Sequence, residues 1–184
     1  MTAVIILLIV IAVVAMVMIG IYNNLVQLKV RAEEAWSTID TQLKKRYDLI
    51  PNLVETVKGY AKHESEVFQK VTEARSQAMQ ANTPAEHAET ENMLSGALKS
   101  LFAVAESYPD LKANENFLQL QNTLQSVEND VNASRVEYNA AVRSLNIAQD
   151  SFPGNIFAGM FGFAKRDFFE LDSEEERKNV KVSF

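Results

Sequence analysis

The 184-residue sequence contains no cysteine, which excludes disulfides, thiolate nucleophiles and cysteine-based metal sites. It has only two histidines, His63 and His87. Six glycines and four prolines are too few for the many turns of an all-β chain. Basic side chains are outnumbered, because 18 Lys and Arg face 24 Asp and Glu. The resulting net charge of −6 disfavours nucleic acid as a partner, since no basic excess is available to neutralise phosphates.

Charge is missing from the first part of the sequence. Residues Ala3–Ile21 form an uncharged apolar run, and the first charged side chain is Lys29. As a helix this run spans about 28 Å, close to the hydrocarbon thickness of a bilayer. A cleaved signal peptide is disfavoured, because no basic residue precedes the run and no convincing cleavage site follows Gly20. We therefore predict a single-pass membrane anchor at residues 1–22, with Tyr22 as an interfacial aromatic.

The orientation of this anchor follows from the distribution of basic residues. None precedes the apolar run, and several follow it, namely Lys29, Arg31, Lys44, Lys45 and Arg46. The positive-inside rule therefore favours a cytoplasmic C-terminal body. The absence of cysteine is equally compatible with a periplasmic body.

Apolar residues recur at helical spacing from Leu25 to Ala148, which predicts an antiparallel helical bundle over residues 23–150. The membrane helix is expected to continue into the first bundle helix and to end at Pro51, where a second helix begins. A third helix is predicted to begin at the capping sequence Thr83-Pro84-Ala85-Glu86. The fourth, from Asn114 to Asp150, has the most regular seam: Phe117, Leu120, Leu124, Val127, Val131, Ser134, Tyr138, Ala141, Leu145 and Ala148. The predicted fold class is all-α, a transmembrane helix continuing into an elongated bundle of about four long helices.

Residues 151–184 form a C-terminal tail of different, irregular character. Seven of the ten phenylalanines lie in it, Ser151–Ala164 is uncharged, and Asp172–Glu176 is acidic. Val180–Phe184 is the one segment with strand-like alternation. The uncharged segment has three possible environments: docked on the bundle, against lipid, or against another subunit.

A search for catalytic motifs finds none that is complete. His63-Glu64 begins a zinc-protease motif, but Val67 stands where the second histidine is required. Neither histidine follows a glutamate at the spacing of di-iron bundles, and no P-loop or nucleophile elbow is present. We therefore predict no catalytic, cofactor-binding or metal-binding residues, no cofactor and no enzymatic activity, and we interpret the carboxylates as solvated helix faces.

Three further features are interpreted as structural, and two of them also have a functional alternative. The run Arg46–Val54 is explained by a structural break at Pro51, and an interaction site is the alternative. Trp36 is interpreted as a packing aromatic rather than a ligand contact. The seam of the fourth helix is explained by packing within the chain, and lateral association between protomers is the alternative.

Several stretches resemble the LemA family of bacterial membrane proteins. They are Tyr22–Val26, Ala35–Leu43, Arg46–Val54, Ala113–Phe117, Ser134–Asn139 and Phe168–Glu170, followed by a Val-x-Phe-like ending. The resemblance covers nearly the whole chain and implies a single anchor followed by a helical bundle. It implies no catalytic residues, because none is assigned in the family. Members often accompany membrane-bound zinc metallopeptidases genetically, and one branch helps to build magnetosome membranes.

These observations predict a membrane-anchored, non-enzymatic helical scaffold or adaptor in the bacterial inner membrane. Its expected partners are the lipid bilayer and further copies of itself. The alternative is an accessory subunit or regulator of a membrane-bound metallopeptidase. A hydrolase is a third class, and it would require one or two essential carboxylates or a histidine.

Overall fold

The computed structural model describes residues 1–170; the acidic stretch Asp172–Glu176 and the segment Val180–Phe184 lie outside the described residues. Within residues 1–170 the chain is all-α, with six helices and no strand, which confirms the predicted fold class. The helices are α1 (Thr2–Lys58), α2 (Ser65–Ala78), α3 (Pro84–Glu106), α4 (Pro109–Lys112), α5 (Glu115–Asp150) and α6 (Gly154–Phe161).

The described residues divide into two compact units, and the bundle core of each is formed by the helical stripes seen in the sequence. The first unit joins Met1–Thr38 with Val136–Asp167, and the second joins Ile39–Arg135 with the described residues from Phe168 on. Buried apolar side chains of the first unit are Leu25, Ala32, Ala35, Tyr138, Val142, Leu145 and Ala158. Those of the second include Ile39, Leu43, Ile50, Leu53, Val57, Val71, Leu94, Leu98, Leu101, Leu111, Leu124 and Val131. The domain boundaries at residues 22 and 150 stay a prediction.

The apolar N-terminal part of α1 has the character of a membrane span. Within the described residues α1 is the one helix long and apolar enough to cross a bilayer, with a window of mean hydropathy 3.5. None of that window is buried by the rest of the protein. A core helix of a soluble protein would be covered, so the side chains from Val4 to Val17 have the exposure of a segment that faces lipid.

The predicted helix end at Pro51 is wrong, because α1 continues through Pro51 to Lys58. Proline has no N–H, so it leaves the carbonyl four residues earlier, that of Tyr47, without its helical partner. The side chain of Arg75 on α2 replaces that partner, with Nε donating to the Tyr47 carbonyl at 2.8 Å. The helix therefore tolerates the proline and ends instead at Lys58, and the second helix begins at Ser65.

The capping sequence before α3 is confirmed. The Thr83 hydroxyl accepts a hydrogen bond from the Glu86 backbone at 3.2 Å, and the Glu86 carboxylate accepts one from the Thr83 backbone at 3.2 Å. Pro84 occupies the first turn, where its missing N–H has no helical partner to lose. Hydrogen bonds from the backbone of Asn82 and Thr83 hold the pKa of Glu86 below its ordinary value, so the cap keeps its charge at neutral pH.

The seam of α5 is largely buried within the chain. Phe117, Leu124, Val127, Val131, Ser134, Tyr138 and Leu145 are buried, while Leu120, Ala141 and Ala148 are half-buried. After Tyr138 the buried stripe moves by one residue, and Val142 and Gln149 take the covered positions. Packing within the chain therefore accounts for the regular spacing of the seam.

Candidate functional site

Two charged side chains are enclosed in the second unit. Arg46 on α1 is 3% exposed and Glu91 on α3 is 2% exposed. Their side chains form an ion pair, with Arg46 Nη1 donating to Glu91 Oε2 at 2.5 Å. Both residues lie on the apolar stripes of their helices, since Arg46 falls three residues after Leu43 and Glu91 three residues before Leu94. The regular helical spacing therefore directs both charges into the core.

Each member of the pair has a second partner. Tyr47 donates its hydroxyl to the other carboxylate oxygen of Glu91 at 2.6 Å. Arg46 Nη2 donates to the Ser95 hydroxyl at 3.0 Å, and it lies 3.9 Å from the half-exposed carboxylate of Glu128. A buried ion pair is tolerated when further hydrogen bonds replace the lost water, and Tyr47 and Ser95 do so here. We call Arg46, Tyr47, Glu91 and Ser95 the polar cluster.

Burial shifts the pKa of one group in the polar cluster and of one group beside it. Burial raises the pKa of the Tyr47 hydroxyl far above its ordinary value, and the neighbouring charge of Glu91 adds to the rise. His87, one turn before Glu91 on α3, is also buried. Burial lowers the pKa of His87, against the opposing charges of Glu91, Asp40 and Glu86. Near neutral pH the phenol of Tyr47 in the cluster and the imidazole of His87 beside it are therefore both neutral.

This arrangement is suited to joining helices and not to turnover. Both carboxylate oxygens of Glu91 accept hydrogen bonds from side chains of α1, and the charged atoms are almost entirely shielded from solvent. A general acid or base must reach its substrate directly or through one water molecule. The chemical consequence of the geometry is a specific, charge-assisted junction between α1 and α3.

The two histidines occupy different environments. His63 is exposed in the connection between α1 and α2, whereas His87 is buried on α3. Within the described residues, no group of three or more histidine, aspartate or glutamate side chains is placed to hold a metal ion. The prediction that no residue serves catalysis, a cofactor or a metal stays a prediction.

The polar cluster was not predicted from the sequence, because the carboxylates were interpreted as solvated helix faces. Glu91 is an exception whose sequence signal was its position, since His87, Glu91, Leu94 and Leu98 are spaced by four, three and four residues. A charged residue within an apolar stripe of this kind indicates a buried partner elsewhere. Arg46 has the same signal, between Leu43 and Ile50 on the stripe of α1.

Aromatic packing organises the first unit. Trp36 is half-buried with its ring 5.2 Å from that of Tyr138, as expected for a packing aromatic. Tyr22, just past the apolar run, lies edge-on to Phe161 at 5.0 Å and to Phe163 at 5.9 Å. The phenylalanine-rich segment is therefore held beside the end of the apolar part of α1.

The residues after α6 are tied to α5 by side chains that bind backbone groups. Asn146 both donates to and accepts from the backbone of Arg166, at 3.0 and 3.1 Å. Arg166 also pairs with Glu33 on α1 at 2.6 Å, and Lys165 pairs with Asp150 at 2.8 Å. Along the same edge lies a cleft of about 520 Å³ lined by residues that include Tyr22, Lys29, Phe161, Lys165 and Arg166.

These features define the class of protein: an all-α protein whose first helix begins with a segment able to span a membrane and continues into a helical bundle. The model of the LemA family matches residues 35–184, and the chain belongs to that family. The match confirms the family resemblance seen in the sequence motifs.

Relatives of the chain include both LemA and magnetosome proteins. It is 28% identical to Protein LemA of Metamycoplasma hominis over 171 residues, covering 91% of this chain and 76% of that protein. It is 24% identical to Magnetosome protein MamQ 2 of Paramagnetospirillum magneticum over 175 residues, covering 81% of this chain and 64% of the relative. Magnetosome protein MamQ of Magnetospirillum gryphiswaldense is 23% identical over 174 residues, covering 80% and 64% of the two chains. The chain therefore spans 64% of the length of these magnetosome relatives, and none of the names denotes an enzyme.

Proposed function

We propose that the protein is a membrane-anchored, non-enzymatic helical scaffold or adaptor that self-associates in the bacterial inner membrane. The observation that carries the proposal is the uncovered apolar segment of α1, which the chain itself does not bury and which continues directly into bundle residues. Burial of such a segment in lipid removes its apolar surface from water, so the membrane is its energetically favoured environment.

The non-enzymatic part of the proposal rests on the polar cluster. Its charged groups are nearly inaccessible and bind one another, so substrate access would require separating α1 from α3. The ion pair and hydrogen bonds of the cluster thus determine how α1 and α3 pack against each other. A scaffold needs such specificity, because a polar contact that is satisfied in a single register disfavours alternative packings.

Self-association is supported by confinement to a membrane. An anchor restricts the protomers to two dimensions and raises their effective concentration, so weak lateral contacts are enough to produce assembly. The MamQ relatives are named as magnetosome proteins. We extend only the notion of a membrane-organising role to the present chain.

Measurement of the oligomeric state in a bilayer tests the proposed self-association directly. Because the chain has no cysteine, Val136→Cys and Leu118→Cys each introduce one thiol at an exposed position of α5. Full-length protein reconstituted at decreasing protein-to-lipid ratios is expected to keep disulfide dimers at one of these sites, and native mass spectrometry should find the same oligomer. A buried position, Leu124→Cys, is the matched control and should form no dimer. A strictly monomeric species in both measurements would refute self-association.

A pull-down distinguishes the scaffold from its alternative, an accessory subunit of a membrane metallopeptidase. Residues 151–184 are removed from the anchored chain, and both forms are used as bait. A scaffold keeps its own copies in the absence of the tail, whereas an accessory subunit would capture a metallopeptidase and lose it with the tail.

We also propose that the C-terminal body is cytoplasmic, since basic residues such as Lys29 and Arg31 follow the anchor and none precedes it. A membrane-impermeant maleimide applied to intact cells should leave Val136→Cys unlabelled and should label it after lysis. Labelling in intact cells would place the body on the outer face of the membrane.

A further inference from the structure

α6 combines a covered face and an uncovered apolar face. Gly154 and Ala158 are buried, and a Cβ atom at Gly154 would lie 2.2 Å from the carbonyl oxygen of Ala148 on α5. Gly154 therefore permits the close seating of α6 on the end of α5. On the other side, Phe152 is 81%, Ile156 52% and Met160 65% exposed.

The exposed residues form one continuous stripe. Ile156 and Met160 are spaced by four residues within α6, which places their side chains above one another on one helical face, and the exposed Phe152 lies in the turn just before the helix. Ile156 lies two residues from both Gly154 and Ala158, so its side chain points about 200° away from the covered face. We call Ile156 and Met160 the apolar stripe of α6.

The position of α6 in the first unit identifies what covers this stripe. Its last residue, Phe161, packs on Tyr22, and Tyr22 lies immediately after the apolar run that spans the membrane. Met18 and Ile21, in the last turn of that run, are half-covered, whereas residues 1–17 are all exposed. α6 therefore lies at the depth where the anchor leaves the bilayer.

The distribution of charged side chains is a second, independent indication that α6 lies level with the end of the anchor. No charged side chain occurs in residues 1–28 or 151–164, and charge begins on the two segments at Lys29 and Lys165. Both lysines line the cleft that also contains Tyr22 and Phe161. Asp150 is held at this level by its ion pair with Lys165. The first unit thus has a charged side and an uncharged side, and α6 is on the uncharged side together with the anchor.

We propose that α6 is an interfacial membrane helix whose apolar stripe inserts into the headgroup–acyl boundary beside the anchor. The occupant of the stripe is bilayer lipid, because the stripe is continuous with a lipid-facing segment through Tyr22. Tyr22 and the adjacent phenylalanines supply the aromatic residues typical of this depth. A second contact with the bilayer restricts the tilt and rotation of the anchor, and so sets the direction in which the bundle leaves the membrane. The inference rests on the membrane anchoring of the proposed function.

Spin labels placed at single introduced cysteines test this proposal in the full-length chain. Ile156→Cys and Met160→Cys report on the stripe, Val136→Cys is the exposed control on α5, and Val10→Cys is the anchor control. The chain contains no other cysteine, so each label reports one position. Collisional accessibility is measured in nanodiscs holding one copy, with oxygen as the lipid-soluble reagent and a nickel chelate as the aqueous one.

We expect the labels at Ile156 and Met160 to favour oxygen, as the label at Val10 does, and the label at Val136 to favour the chelate. Preference for the chelate at Ile156 and Met160, with Val10 still favouring oxygen, would overturn the interfacial helix and leave the anchor intact. Shielding from both reagents would also overturn it, because the chain itself would then cover the stripe. Preference for the chelate at Val10 would overturn the anchoring and this inference together.

Discussion

The ion pair between Arg46 and Glu91 leads to the most demanding prediction. Glu91→Gln keeps the shape of the side chain and removes its charge, which leaves the guanidinium of Arg46 buried at 3% exposure without its main counter-ion. Removing one partner of a buried pair typically costs about 3–5 kcal/mol. Because whole domains are stable by only about 5–15 kcal/mol, the substitution should consume a large part of the stability of the second unit.

The reverse expectation applies when the whole cluster is replaced. In Arg46→Met, Tyr47→Phe and Glu91→Leu combined, no buried charge of the cluster is left without its counter-ion, and only the half-buried Ser95 hydroxyl loses a hydrogen-bond partner. Apolar replacements of similar volume for buried ion pairs range from neutral to about 1–4 kcal/mol more stable. The triple variant should therefore be far more stable than Glu91→Gln alone, although it differs from the native chain at more positions.

Urea denaturation of the full-length protein in detergent, followed by far-UV circular dichroism, measures these differences. Glu66→Gln is the matched control, because Glu66 is exposed and pairs with Lys70 on the surface of α2, where solvent screens the ion pair. If Glu91→Gln destabilises no more than Glu66→Gln, or if the triple variant is as unstable as Glu91→Gln, the energetic role assigned to the polar cluster is refuted.

Three smaller perturbations test other parts of the structure. Thr83→Ala removes the side-chain cap of α3 and should lower the free energy of unfolding by about 1 kcal/mol in the same urea assay. Arg75→Met should lower the free energy of unfolding by about 1–3 kcal/mol in the native chain. The loss should be smaller in a Pro51→Ala background, because the restored backbone N–H can donate to the Tyr47 carbonyl in place of Arg75. Equal losses in the two backgrounds would contradict this pairing. His87 has a folded-state pKa below its unfolded value near 6.5, so its contribution to stability is complete above that pH and is lost as the pH falls from 6.5 towards the folded-state pKa. Titration of stability from pH 7.5 to 5 should show a smaller acid loss in His87→Leu than in the native chain, and an equal or larger loss would refute the assignment.

Much of the fold could be predicted because its determinants are local. The boundary of α3 follows from a cap that satisfies free backbone groups within four residues, and the extent of α5 follows from an apolar stripe with steps of three and four. These interactions depend on residues close together in the sequence. The end of α1 was mistaken for a different reason, because the hydrogen bond that compensates Pro51 comes from Arg75, 24 residues later.

The polar cluster could not be predicted from neighbouring residues either, because its members on α1 and on α3 are distant from each other in the sequence. Arg46 and Tyr47 lie next to each other in the sequence, but their common acceptor Glu91 is separated from Tyr47 by 44 residues. A charge on an apolar stripe indicates that a partner must exist, since an unpaired buried charge is prohibitively unfavourable. It does not indicate which of the 24 carboxylates is that partner.

The sequence by itself determined the helical class, the apolar segment of membrane-spanning length, the cap at Thr83 and the family. Each of these depends on composition, on periodicity or on motifs of neighbouring residues. Only the tertiary structure decided that Arg46 and Glu91 are paired, that Arg75 supports the helix through Pro51, and that α6 rests beside Tyr22 with its apolar stripe uncovered. The physical reason is that these contacts join residues distant in the chain, whose proximity arises only when helices pack.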